Sequence, residues 1–198
     1  EIDSPKPSNR SLPDWWPRDS GSIVLFWGLI DRRLDTAWCR EIARCQGLTL
    51  VLVGPTQYPD PALNRMPGVV MPGPVDFEQL PALAAAADVL VMPYQDLPVT
   101  RAMQPLKFKE YLATGKPVVV RRLPAAEPWQ DAADLVDRSQ AFVERVLERA
   151  GKPLPTQQVE ARKRLADEAW PIKAAQLMEA LLENERGKKF DPTEYDST

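Results

Sequence analysis

Gln104–Val120 reads QPLKFKEYLATGKPVVV, and it turns from a helix into a buried strand. Pro105 suits the first turn of a helix. Lys107 and Glu110 stand three residues apart and share one face, which Tyr111 and Thr114 extend as a polar stripe. Phe108 and Leu112 point the other way, towards a core. Gly115 closes the helix, and Lys116-Pro117 leads into an unbroken apolar run at Val118–Val120. Such a run, with no polar alternation, fits a strand covered on both faces.

The same unit recurs on either side. Ser22–Gly28 (SIVLFWG) and Leu48–Gly54 (LTLVLVG) are apolar strands. Between them Leu34, Ala37, Trp38, Ile42 and Cys45 keep helical spacing. Val69–Met71 is a short third strand, and Asp76 is placed to cap a helix through Leu80, Leu83 and Ala87. Asp88–Met92 is the fourth strand, Pro117–Val120 the fifth and Asp134–Asp137 a weak sixth. Helices are expected at Ala141–Ala150 and from about Gln157 to Glu185, the latter interrupted at Trp170-Pro171. Strands that alternate with helices predict an open, six-stranded parallel α/β sheet with helices on both faces.

Residues 1–21 have no periodicity and carry four prolines, so they read as a linker or arm, with Trp15 and Trp16 packed on the domain. The domain spans 22–186, and 187–198 is polar enough to stay disordered. Glu1 stands where a Met would open a complete chain, and the expectation is a fragment or processed product.

Composition removes several functions. There is no histidine, which excludes a Ser-His-Asp triad and every His-based metal site in this chain. Cys39 and Cys45 lie on one helix; six residues of rise separate their Cα atoms by about 9 Å, too far for a disulfide. They read as free thiols of a reducing, cytoplasmic compartment. A net charge of −3 gives no reason to expect nucleic-acid binding. No apolar run approaches the ~20 residues of a membrane span. Neither GxGxxG nor GxxxxGK[ST] occurs.

In an open parallel sheet, ligands bind at the carboxyl ends of the strands. That rule selects Gly28–Arg33, Gly54–Pro55, Gly73–Val75, Pro93–Gln104 and Arg121–Pro124 as crevice loops. Gly28 permits close approach of a ligand, Arg32 and Arg33 suit phosphate, and Asp35 can cap the next helix. Lys107 in a first helical turn is favourable once an anion binds there. Glu110, one turn on, can accept hydrogen bonds from a diol such as a ribose. The plain alternative for Lys107 and Glu110 is a surface ion pair worth a few tenths of a kcal/mol. Arg121 and Arg122 could meet an anionic substrate or be a solvated strand end. Trp38, Trp129 and Trp170 read as core or hinge packing.

Pro105–Val119 resembles the P-x-K-x-x-E-Y-x-A-x-G-K-P-V-V segment of retaining, two-domain GT-B glycosyltransferases of the family 1/family 4 kind. Phe26-Trp27-Gly28 through Asp35, Leu50–Pro55 and Asp88–Tyr94 are similar to the family's other strands and loops. Ala169-Trp170 and the following helix (170–186) resemble its C-terminal crossing helix. The resemblance implies a Rossmann-like domain that is one half of a GT-B architecture. It implies a nucleotide-diphosphate-sugar donor (UDP, GDP or dTDP) and no cofactor or metal. Glu110 would hold the ribose. Lys107, with the N–H groups of Leu106 and Lys107, would bind the diphosphate, opposed by Arg32 or Arg33. Gly73 and Val75 would lie near the base, and Thr100, Met103 and Gln104 near the sugar. The acceptor-binding N-terminal domain would be missing, and with it any peripheral membrane contact. The acceptor would be a glycan, lipid or polysaccharide precursor. One departure stands out: Ala102 occupies the place of a family glutamate that contacts the sugar. Two other readings follow: a degenerate transferase domain acting as an interaction module, or another sugar-nucleotide α/β enzyme such as an epimerase. The second wants acid/base groups that a chain without histidine is short of.

Overall fold

The computed structural model describes residues 12–187 except Asp19 and Pro105. Pro105, residues 1–11 of the expected arm and the expected tail beyond Gly187 thus lie outside the described residues. Chain contacts divide the protein into two units, residues 1–162 and 163–198.

The first unit opens with β1 (Ser22–Trp27), β2 (Ile30–Asp31), α1 (Thr36–Arg44), β3 (Leu48–Val53), β4 (Thr56–Gln57) and β5 (Val69–Gly73). It continues with α2 (Leu80–Ala86), β6 (Val89–Met92), α3 (Pro98–Ala102), α4 (Leu106–Ala113), β7 (Val118–Arg121), β8 (Asp134–Val136), α5 (Ser139–Arg149) and α6 (Thr156–Ala161). Six strands form one sheet in the order β5-β3-β1-β6-β7-β8, every pairing parallel. The expected α/β, Rossmann-like architecture is therefore what the chain adopts. Ser22 pairs with Leu48 and Trp27 with Val53, so β1 and β3 run in register along their whole length. Val24, Leu25, Phe26, Leu50, Val51 and Leu52 are fully buried, as their unbroken apolar runs require. On one face Trp38 of α1 packs on Phe142 of α5, ring centroids 4.7 Å apart. Right-handed crossovers running in the opposite direction along the sheet place α2 and α4 on the other face.

The third strand runs past the expected Met71 to Gly73. Pro72 is tolerated because β5 is an edge strand, where a missing N–H faces no partner. The helix expected after Asp76 begins as a 3₁₀ turn at Phe77–Gln79, in which the Asp76 N–H donates to Gln79 Oε1 at 3.1 Å. The two-residue ladder between β2 and β4, and α3, are too short to register as periodicity.

A 3₁₀ segment, Arg162–Glu168, begins at the last residue of the first unit, and α7 (Trp170–Gly187) follows in the second. Trp170-Pro171 starts this helix rather than interrupting a longer one, since proline fits a first turn and disrupts an interior. No helix among the described residues is long and apolar enough to cross a membrane.

Candidate functional site

Successive strands run outward from β1 in both directions, so the sheet's switch point falls between β1 and β6. Three loops converge at the carboxyl ends there. Gly28 leaves β1 with φ of 152°, and a Cβ on it would come within 2.8 Å of Lys107 Cε. The lysine's aliphatic stem therefore lies across a backbone that only glycine allows so near. Gly54, after β3, touches Gly28: its own Cβ would overlap the Gly28 carbonyl oxygen. Gly73, the last residue of β5, accepts a 2.9 Å hydrogen bond from the Gly54 N–H. Val75 follows it, half-buried.

α4 starts beside these loops at Leu106, which is exposed. The first N–H groups of any α-helix have no intrahelical acceptor, so this end carries unused donors and partial positive charge. Lys107 forms no ion pair with the described residues. The Glu110 carboxylate accepts from Trp27 Nε1 at 3.4 Å. It borders a cavity of about 300 Å³ walled by Trp27, Phe77, Leu80, Ala84 and Thr114. The expected pair of Lys107 and Glu110 is thus not a salt bridge; each faces a separate neighbour at one mouth.

Arg32 and Arg33 part company. Arg33 Nε and Nη2 both grip the Asp31 carboxylate, at 2.9 and 2.8 Å, and its Nη1 reaches Met103 Sδ at 3.9 Å. Hydrogen bonding to Asp31 holds the guanidinium above its ordinary pKa despite partial burial. Arg33 therefore sits between the β1 loop and the approach to α4. Arg32 is exposed and lines a shallow depression with Gln57 and Tyr58. Thr100 is 1% exposed, and its hydroxyl is spent on the chain: it accepts from the Leu97 N–H and donates its one proton to the Gln95 carbonyl, with the Leu97 carbonyl 3.0 Å away as the weaker alternative acceptor. It shapes the loop that ends in Met103 and the exposed Gln104.

Several residues belong elsewhere than the sequence suggested. Tyr111 is fully buried, not part of the polar stripe. Its hydroxyl accepts from the Trp27 N–H at 2.8 Å and donates to the Trp27 carbonyl at 2.9 Å. Burial raises that phenol well above its usual pKa of 10.0. Arg121 is engaged by the protein itself: it pairs with Asp35 Oδ2 and stacks 3.9 Å from the Trp38 ring centroid. Asp35 meanwhile caps α1 as expected, accepting from Ala37 and Trp38 N–H groups at 3.0 and 3.2 Å. Arg122 is held by Glu127 and Asp137. Trp38 and Trp129 are core residues, while Trp170 is 78% exposed. The cavity walls Trp27, Phe77, Leu80 and Ala84 went unread. An aromatic directly before a crevice glycine was the available signal for Trp27.

The molecule is a Rossmann-like α/β domain with cationic and carboxylate groups gathered at its switch point. Residues 28–150, more than half the chain, match the family model for glycosyl transferases group 1, and the chain belongs to that family. It is 35% identical over 115 residues to TuaH of Bacillus subtilis (strain 168), whose provisional name is teichuronic acid biosynthesis glycosyltransferase; the match covers 56% of this chain and 29% of TuaH. Sucrose-phosphate synthase from Thermosynechococcus elongatus shares the fold at a TM-score of 0.62 and 23% identity, over 85% of this chain and 47% of that one. HepE of Anabaena, solved in complex with UDP and glucose, does so at 0.57 and 16%, over 83% and 49%. The chain therefore spans less than a third of TuaH and about half of these solved relatives.

Proposed function

We propose that this chain is the C-terminal, donor-binding half of a retaining glycosyltransferase that takes its sugar from a nucleotide-diphosphate-sugar. The observation that carries the reading is the packing of Lys107 across Gly28, with Glu110 one turn on at the rim of an apolar cavity. The family membership and the UDP-bound relative support it. In this reading the base lies in the cavity near Phe77 and Val75, and its ribose hydroxyls donate to Glu110. The diphosphate meets Lys107, the N–H groups of Leu106 and Lys107, and Arg33. Arg33 is preferred over Arg32 because Asp31 fixes it beside the α4 approach with Nη1 still directed inward.

The reaction places its demand on electrostatics. As the bond from the anomeric carbon to the diphosphate oxygen breaks, the oxygen leaves with the electron pair. Fixed cations and helix-end donors that meet this charge lower the barrier without a general base in this half. The charge is met by protein groups, so the reading calls for no cofactor or metal. The acceptor, a glycan, lipid or polysaccharide precursor, and any membrane contact would belong to the N-terminal domain of a longer cytoplasmic protein.

Ala102, exposed at the end of α3, favours a second reading: a degenerate transferase domain that keeps the fold without donor binding and serves as a non-catalytic interaction module. A thermal-shift screen with UDP, GDP and dTDP and their sugar conjugates separates the two. The proposal expects one nucleoside diphosphate series to raise the melting temperature, as any ligand selective for the folded state does. Flat curves at millimolar nucleotide would remove it.

A further inference from the structure

Trp27 holds the last position of β1 and is 5% exposed; its ring walls the cavity, yet no role above uses its indole N–H. Its surroundings fix it from three sides. The strand pairs Trp27 with Val53. The Tyr111 hydroxyl clamps both its N–H and its carbonyl. The Tyr111 ring packs on the indole with centroids 4.0 Å apart at 48°. The indole N–H is thus a rigid donor, and it points at Glu110 Oε2.

Glu110 is otherwise an exposed carboxylate on a helix surface. A glutamate left free there has roughly 1.5–2 kcal/mol of rotamer entropy to lose before it can hold a ligand. One bond from a fixed donor restricts that freedom in advance. Indole donates and cannot accept, and a carboxylate has about four acceptor sites. The contact therefore consumes one site and leaves the others for a diol. At 3.4 Å it is long, so it orients the carboxylate without competing strongly for it.

We propose that Trp27 is a positioning residue for ribose recognition, holding the Glu110 carboxylate ready for the 2′,3′-diol of a nucleoside diphosphate. The assignment rests on the function proposed above. It also gives Trp27-Gly28 a joint meaning: the indole sets the carboxylate, and the glycine makes room for Lys107.

The test compares UDP and GDP with their 2′,3′-dideoxy analogues and with inorganic pyrophosphate, by calorimetry, on wild type, Trp27→Phe and Glu110→Gln. Trp27→Phe keeps an aromatic ring and removes the N–H. The wild type is expected to prefer the ribose form roughly tenfold, the worth of a hydrogen bond to a charged acceptor. Trp27→Phe should lose most of that preference, approaching Glu110→Gln, with pyrophosphate affinity unchanged. A preference retained in full by Trp27→Phe overturns the proposal. So does an equal loss for all three ligands, which marks mere packing. A wild type with no ribose preference instead overturns the Glu110 assignment itself. If Trp27→Phe does not fold, the Trp27 indole N–H resonance of the wild type decides. It should move with the ribose nucleotide and stay fixed with the dideoxy analogue; no difference overturns the proposal.

Discussion

The two ends of α4 are built to opposite rules. Its last turn and the turn after it are tied down by hydrogen bonds. Arg162 Nη1 donates to the carbonyls of Leu112 and Lys116 at 3.1 and 2.8 Å, and Nε to the carbonyl of Ala132 at 2.8 Å. The Thr114 hydroxyl donates to the Tyr111 carbonyl at 2.7 Å, and Gly115 turns the chain with φ of 74°. Its opening residues are the reverse: Lys107 lacks an ion pair among the described residues, and Glu110, one turn on, has one long contact. A helix satisfied at one end and open at the other shows where the fold keeps polar groups for something outside itself. The closed end should govern stability and the open end binding, with little crossover.

The largest expected effect is at the closed end. Arg162 is 7% exposed, and burial lowers its pKa to about 10. Arg162→Ala would strand the Lys116 and Ala132 carbonyls, leave that of Leu112 with only the 3.4 Å bond from the Gly115 N–H, and should cost about 3 kcal/mol in chemical denaturation. Affinity of the remaining folded protein for UDP should not change. A fall in affinity at constant stability would erase the contrast between the ends.

Lys107→Ala probes the open end. UDP and pyrophosphate affinity should each drop roughly 30-fold, as for a desolvated charge-assisted contact. Denaturation midpoints should move by no more than about 0.5 kcal/mol.

Tyr111 lies between the two ends and tests where one rule gives way to the other. Tyr111→Phe removes both hydrogen bonds to Trp27 and should cost about 1–2 kcal/mol. It also has a pH signature. The phenol's pKa is raised in the fold, chiefly by burial, from its usual 10.0. The unfolded chain therefore releases this proton first. The stability Tyr111 contributes is present below that value and is lost as pH rises above it. Comparing wild type with Tyr111→Phe between pH 9 and 11 should show a shallower decline in the variant. Parallel curves would mean the hydroxyl is not held neutral.

The smallest effect belongs to Gly115. A Cβ there meets nothing within 4 Å, so Gly115→Ala changes only the backbone. A left-handed conformation costs an L-residue about 1 kcal/mol, and nucleotide binding should be untouched.

The sequence and the structure agree where local pattern and tertiary demand coincide. Unbroken apolar runs such as Leu48–Val53 could only be buried strands, and Asp35 before a periodic segment could be read as a cap. α3 was missed because five residues show no period; it forms around the Thr100 hydroxyl, which a linear reading takes for a loop side chain. Tyr111 was misplaced because it lies on the arc between Lys107 and Phe108, and spacing alone does not say that the end of β1 needs a partner for its backbone. Arg121 and Arg122 looked available because Asp35, Glu127 and Asp137 are distant in sequence or uninformative there. Lys107 and Glu110 were legible as chemistry, but the Gly28 and Trp27 contacts that give them separate neighbours exist only once β1 and α4 are packed.

The central claim, that a nucleoside diphosphate binds at the open end of α4, is tested most directly by titrating UDP into ¹⁵N-labelled protein and following the amide resonances. Gly28, Arg33, Val75, Leu106 and Lys107 are expected to shift first and saturate together, while Leu112, Gly115 and Lys116, which lie away from the cavity wall, stay fixed. Saturable shifts confined to the closed end, or to the distant groove of Arg40, Arg44 and Arg65, would contradict it.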